Sequence, residues 1–259
     1  MYLNLYFKDY GEIPVFIYDD SPFSQYLVEK LPIESKAIRW KEEFYFETPL
    51  EFKSTGKLSV SPGDVAFWPP GKALCLFYGL SQPYSPVSIV GEIIGPLYLL
   101  REIEEDEIQV SLDKSKGENG LVNYLRDRGF KAARREWMEY SSIAVVVELA
   151  ESTYKVLPKR VGFDVYEEDY GFAVESDGLA FYDASLSSYA LMHLLEALKK
   201  RISRNFGIDV FNKVRVDINE DGYICLSSFT SEREELLDLL RGVASLYVHF
   251  LDYLVGFST

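Results

Sequence analysis

The segment Gly63–Gly79 constrains the fold more tightly than any other part of this 259-residue chain. Trp68-Pro69-Pro70-Gly71 stands between two short apolar runs, Val65–Phe67 and Ala73–Tyr78. Consecutive prolines fix φ and remove two backbone donors, so no regular helix or strand runs through them. Gly71 supplies the freedom that a tight reversal needs. The segment predicts two strands flanking a rigid corner. The corner is also a candidate lip for a ligand cleft, because prolines and an indole form an apolar platform that loses little entropy on binding.

The rest of the first half has the same texture of short strands and Gly/Pro turns. Residues 2–7 and 13–18 read as strands around the turn Lys8–Glu12. Asp20-Ser21-Pro22 predicts a capped helix from Pro22 to Lys30, stopping before Pro32. Residues 37–49 read as a strand pair or bent hairpin, 58–64 as strand and turn, 87–94 and 108–112 as further strands. Many short strands with one helix imply a small closed barrel.

Residues 114–120, rich in Lys, Ser, Gly and Glu, form the best linker, giving domains at 1–113 and 121–259. The second half predicts an α+β unit with antiparallel strands and two long helices. It opens with a short helix, 121–128, ended by Gly129, and a strand over 143–149. A three-stranded meander is expected over 161–165, 171–175 and 179–182. A helix capped by Ser185 runs to Phe206, with Gly207 just past its end and an apolar stripe of Leu191, Leu194, Leu195, Leu198 and Ile202. A hairpin at 214–226 follows, then a last helix opened by a Ser231/Glu234 capping box and running to Val255.

Charge and composition remove several functional classes. The formal net charge is −14, and both halves are acidic, so the footprint of a general nucleic-acid binder is missing. The two cysteines, Cys75 and Cys225, fall in apolar runs and read as buried thiols. With two histidines and no Cys-x-x-Cys, no zinc spacing exists, and no metal or cofactor is expected. His193 and His249 both read as packed core residues. The N-terminal residues read as a strand rather than a signal peptide, and no apolar run reaches the roughly 20 residues that span a bilayer. A cytoplasmic protein away from membranes is expected. Abundant Glu with scarce Gln, Asn, Met and Cys follows the thermophile bias.

The first half also resembles a known family. The matching residues are Leu31–Ser35, Arg39–Pro49, the run from Gly63 through Trp68-Pro69-Pro70-Gly71-Lys72 to Gly79, and Ser85–Ile93. These are similar, in order over residues 2–113, to the cyclophilin-like family of small bacterial and archaeal proteins. The resemblance implies a compact closed barrel. It implies no reaction, since the family's biochemical role is not established. The chain departs from the family pattern at Leu80–Tyr84, where relatives have a longer polar loop; if that loop walls a pocket in relatives, the pocket is trimmed here. Residues 118–259 resemble no family.

The candidate cleft comprises Arg39, Trp40, Glu43, Tyr45, Trp68, Pro69, Pro70, Gly71, Lys72, Cys75 and Tyr78. No nucleophile–base arrangement, Walker loop or dinucleotide fingerprint occurs. The expected function is therefore a non-catalytic module binding a small molecule or peptide, with oligomerisation through the helix at 231–255. One alternative is an enzyme at the cleft or between the domains, such as a weak peptidyl-prolyl isomerase using Arg39. A third reading takes Arg126, Arg128, Lys131, Arg134 and Arg135, ending at Trp137, as a site for phosphate or RNA.

Overall fold

The computed structural model describes residues 1–18, 22–53, 56–115, 120–149, 160–206 and 210–254. Backbone contacts divide the chain into two compact units, Met1–Ala144 and Val145–Thr259.

The first unit contains β1 (Tyr2–Phe7), β2 (Gly11–Ile17), α1 (Pro22–Val28), β3 (Ile33–Trp40) and β4 (Glu43–Glu47). β5 (Asp64–Trp68), a 3-10 turn over Pro69–Gly71, β6 (Ala73–Phe77), β7 (Ser88–Ile93), α2 (Leu99–Glu102) and β8 (Asp106–Leu112) follow. The strands pair in the order β1-β8-β3-β4-β6-β5-β7-β2, and β2 pairs back onto β1. The result is a closed antiparallel barrel of eight strands, so no barrel edge is left unpaired. α3 (Gly120–Arg126) and β9 (Lys131–Trp137) belong to the same unit, with Trp137 opposite Gly11 of β2. The division thus falls after the predicted linker, of which residues 116–119 lie outside the described residues.

Alternation along the strands sets which residues the barrel encloses. Phe44 faces Leu76, which faces Val65; Phe46 faces Leu74, which faces Phe67. All six side chains are buried, and Phe7 of β1 meets Phe44 edge-on. The intervening residues form a second set of rows on the outer wall: Tyr45–Cys75–Ala66, and Trp40–Glu43–Phe77. Ala66, Cys75 and Phe77 are nevertheless buried, in a small apolar cluster completed by Val60 and Val87. A wall normally left to solvent is therefore covered.

Three expectations for this unit change. Residues 58–61 give no strand, although the turn at 62–63 forms ahead of β5; only Lys57 makes an isolated bridge, to Val87. The segment 131–137 is a strand: its alternation puts Ala133, Arg135 and Trp137 on one buried face. α2 also stands where no element was expected. The Asp20-Ser21 cap falls outside the described residues, although α1 does begin at Pro22.

β10 (Tyr140–Glu148) runs across the division. The second unit continues with β11 (Arg160–Glu168), β12 (Gly171–Ser176), β13 (Ala180–Phe181), α4 (Leu186–Phe206), α5 (Val210–Lys213), β14 (Arg215–Ile218), β15 (Tyr223–Thr230) and α6 (Arg233–Leu254). The expected three-stranded meander does not form. β12 pairs with β15 through Ser227–Thr230, and β13 pairs with β15 through Tyr223 and Ile224. The turn after Ser176 thus carries the chain onward along the same edge of β15, because β15 is long enough to hold both partners in sequence. β14 takes the other edge, joined by the turn Asn219–Gly222.

Ser185 caps α4 as expected, its Oγ accepting from the Ser188 amide at 3.2 Å. Gly207, expected just past that helix, lies outside the described residues. The Ser231/Glu234 capping box does not form: Ser231 donates to the Glu232 carboxylate, and α6 begins at Arg233. The hydroxyl of Thr230 accepts from the Glu232 amide at 3.1 Å and donates to Glu235 at 2.9 Å. α6 packs its Leu236, Leu240, Val243, Val248 and Phe250 inward against β11, β12 and β15, forming the core of the unit. Val255, its expected last residue, lies outside the described residues. The α4 stripe holds for Leu195 and Leu198, whereas Leu194 is exposed. His193 is also exposed and leans on Tyr189 with ring centroids 4.4 Å apart, correcting its assignment to the core. His249 is half-buried, and burial lowers its pKa.

Candidate functional site

The covered outer wall of the barrel holds a cavity of about 190 Å³ lined by Trp40, Glu43, Tyr45, Trp68, Cys75, Pro83, Tyr84 and Val87. Each lining strand residue owes its position to the alternation described above. Glu43 lies across from Trp40 in the tight β3–β4 hairpin, where Lys41 adopts the left-handed conformation at φ 56°. Tyr45 lies across from Cys75, and Trp68 leaves β5 at the proline corner.

The corner fixes the indole. Its Nε1 donates to Ser85 Oγ at 2.7 Å, and a Cβ at residue 71 would collide with the Trp68 ring, so glycine is required there. Lys72 closes the turn at φ 47° and ion-pairs with Glu51 at 2.6 Å. The Tyr45 and Trp68 rings meet at 78°, with centroids 6.4 Å apart. They form two walls of a right-angled aromatic corner.

The third wall is the segment 79–87, anchored at four points. Glu42 Oε2 accepts from the Leu80 amide at 2.8 Å. Gln82 donates to the Val60 carbonyl at 3.2 Å and accepts from its amide at 3.0 Å. Ser85 holds Trp68, and Val87 exchanges backbone hydrogen bonds with Lys57. The short loop at 80–84 thus lines a cavity of its own, through Pro83 and Tyr84.

The chemistry of this site centres on Glu43, which is only 6% exposed. Its Oε2 is buried and accepts no hydrogen bond. Burial pushes its pKa up to about 7, opposed in part by the positive charge of Lys41. The buried Cys75 thiol is pushed up as well, first by burial and then by Glu43, so it is a poor nucleophile. Lys41 Nζ lies 4.2 Å from the centroid of the Trp40 ring.

The structure brings Trp40, Glu43, Tyr45, Trp68 and Cys75 of the predicted cleft together and separates the rest. Pro69, Pro70 and Lys72 line a different, wider depression of about 750 Å³ with Tyr26, Leu50 and Phe52. Gly71 supports Trp68 from behind. Arg39 and Tyr78 pair with each other, the guanidinium 6.0 Å from the ring, and Arg39 reaches the carbonyls of Arg101 and Ile103. Arg39 lines no part of the cavity. Pro83, Tyr84 and Val87 were missed, since only the anchoring of their loop brings them to this wall.

The basic segment 126–135 is engaged within its own unit. Arg126 pairs with Asp113 at 2.8 Å and covers the Tyr2 ring. Arg128 stacks on Tyr124, Lys131 pairs with Glu92, and Arg134 pairs with Glu136. Arg135 is fully buried beside Gly95. Among the described residues no group of His, Cys, Asp and Glu is placed to hold a metal, and no helix is long and apolar enough to cross a membrane.

A family model described as cyclophilin-like matches residues 1–112. Among solved structures, the solution structure of a hypothetical protein from Archaeoglobus fulgidus is 32% identical, covering 43% of this chain and 94% of its own, at a TM-score of 0.39. The structure of McbB in complex with tryptophan is 16% identical, covering 49% of this chain and 54% of its own, at a TM-score of 0.36. No curated protein matches.

Proposed function

Taking as premise that residues 1–112 belong to the cyclophilin-like family, we propose that this domain is a binding module whose site is the cavity on the outer wall of the barrel. The observation that carries this reading is the convergence of three half-buried aromatic rings, Trp40, Tyr45 and Trp68, on one buried carboxyl group. Concave apolar sites with a few placed polar groups are the usual form of a ligand pocket. A volume of about 190 Å³ suits a small molecule or a single side chain rather than an extended chain. The site is held open in advance by the Trp68–Ser85 and Gln82–Val60 contacts, which lowers the ordering cost of binding.

Ligand-observed NMR with a fragment library tests the assignment on the full chain and on Trp68→Ala. Fragments that bind the native protein are expected to lose binding in the variant. An unchanged set of binding fragments would move the site elsewhere.

A second reading is favoured by the elevated pKa of Glu43. A carboxyl group that titrates near 7 inside a cavity is suited to proton transfer. In that case the bound ligand is a substrate, and Glu43 is its general base or acid.

A further inference from the structure

The walls of the cavity define the charge of its ligand, given that the cavity is the binding site. Trp40, Tyr45, Trp68 and Tyr84 present aromatic rings to it, and the Tyr45–Trp68 pair is nearly perpendicular. The face of an aromatic ring carries negative electrostatic potential, so a cation seated in such a corner is attracted by two faces at once. A ring in this site already holds one: the Lys41 ammonium stands over Trp40 at a distance typical of cation–π contact. The carboxyl group adds a second term of the same sign. Glu43 Oε2 is buried without a donor, and a buried acceptor left unmatched is costly. A neutral ligand leaves that oxygen uncompensated when Glu43 is ionised, and an anion is repelled by it.

We propose that the cavity binds a small protonated organic amine, its N–H donating to the Glu43 carboxylate and its alkyl groups lying against Trp68, Tyr45 and Trp40. Lys41 then acts as a resident competitor for Trp40. It occupies one ring face in the free protein and yields it to a ligand whose alkyl groups fill the apolar corner as well. The other polar groups at the wall do not supply the missing donor. The indole N–H of Trp68 is committed to Ser85, and no hydrogen bond joins Cys75 to Glu43.

Two probes of equal shape separate charge from shape. N,N-dimethylaminoethanol is a cation at pH 8, and 3-methylbutan-1-ol is its neutral isostere. Trp40 and Trp68 report occupancy of the site by fluorescence in the full chain. The ammonium probe is expected to bind at least about tenfold more tightly than the alcohol. Glu43→Gln, which keeps the shape of the side chain, is expected to bring the two affinities to near equality. Retained binding of the alcohol shows that the variant site is still folded. Glu175→Gln, in the second unit, is expected to leave both affinities unchanged. Equal affinities for the two probes in the native protein would overturn the assignment of an amine and leave the cavity as an apolar binding site. Failure of both probes to bind would overturn the site itself.

Discussion

Glu43 in the first unit and Glu175 in the second have carboxyl groups raised to about 7, and they differ in almost everything else. Glu43 is raised by burial alone, with the Lys41 charge working against the shift. Glu175 is raised by burial and then by four negative neighbours: Asp164, Asp217, Glu220 and Asp221. Its place in the sheet explains this. Glu175 lies directly across from Asp164 on one side and from Ser227 on the other, and Ser227 donates to Asp217 at 2.8 Å. Like charges opposed on one face of a sheet repel each other. The Glu175 surroundings are acids on β11, on β14 and in the turn Asn219–Gly222. The Glu43 surroundings are a cavity with aromatic walls, and Lys41 stands over one of them, Trp40. A perturbed carboxyl group is therefore a weak marker of function by itself; the shape and sign of what surrounds it decide what it can do.

The two carboxyl groups share one consequence for stability. Each ionises near 4.5 in an unfolded chain and only near 7 in the folded protein. The folded state therefore holds the extra protons. This stabilisation is complete below the unfolded value and is lost as pH rises through about 7. Glu43→Gln and Glu175→Gln are each expected to raise stability at pH 8 by roughly 1–2 kcal/mol, solvent at both sites reducing the full linkage value. Neither variant should change stability at a pH well below the unfolded value. Urea unfolding at the two pH values checks this, and a gain that persists in acid would mean that packing, not charge, is responsible.

Ser85→Ala separates the two sites structurally. Only the Glu43 cavity depends on the anchored loop, and the variant removes the acceptor of the Trp68 indole N–H. A loss of about 1 kcal/mol is expected, with weaker amine binding and no change in the titration of Glu175. The smallest effects should come from the charged neighbours. Lys41→Met is expected to raise the Glu43 titration midpoint further, and Asp217→Asn to lower that of Glu175. Side-chain NMR of the glutamate carboxyl carbons measures both. Shifts in the same direction would erase the distinction between the two sites.

Much of the Glu43 site was legible in the sequence because strand periodicity places alternate residues on one face. Trp40, Glu43, Tyr45, Cys75 and Trp68 follow from the alternation of β3, β4, β5 and β6 once the proline corner fixes how β5 and β6 pair. The same rule separates Arg39 from Trp40: adjacent strand residues point to opposite faces, and Arg39 lies across from Phe44. Tyr84 and Pro83 carry no such signal, since their placement rests on the Gln82–Val60 and Ser85–Trp68 hydrogen bonds. In 131–137 the density of positive charge hid a regular alternation that buries Ala133, Arg135 and Trp137. In the second unit, hairpin and helix signals located the elements. The pairing of β13 with β15 escaped, because a strand of two residues has no period to read.

The most direct measurement is the titration of Glu43 itself, followed by the carboxyl carbon shift in the full chain with and without N,N-dimethylaminoethanol. In the free protein the expected midpoint is about 7. Bound amine should lower it, since a cation beside the carboxylate favours the charged form. A midpoint in the ordinary carboxylate range, or one that the amine leaves unmoved, would contradict the assignment of this cavity as a site for amines.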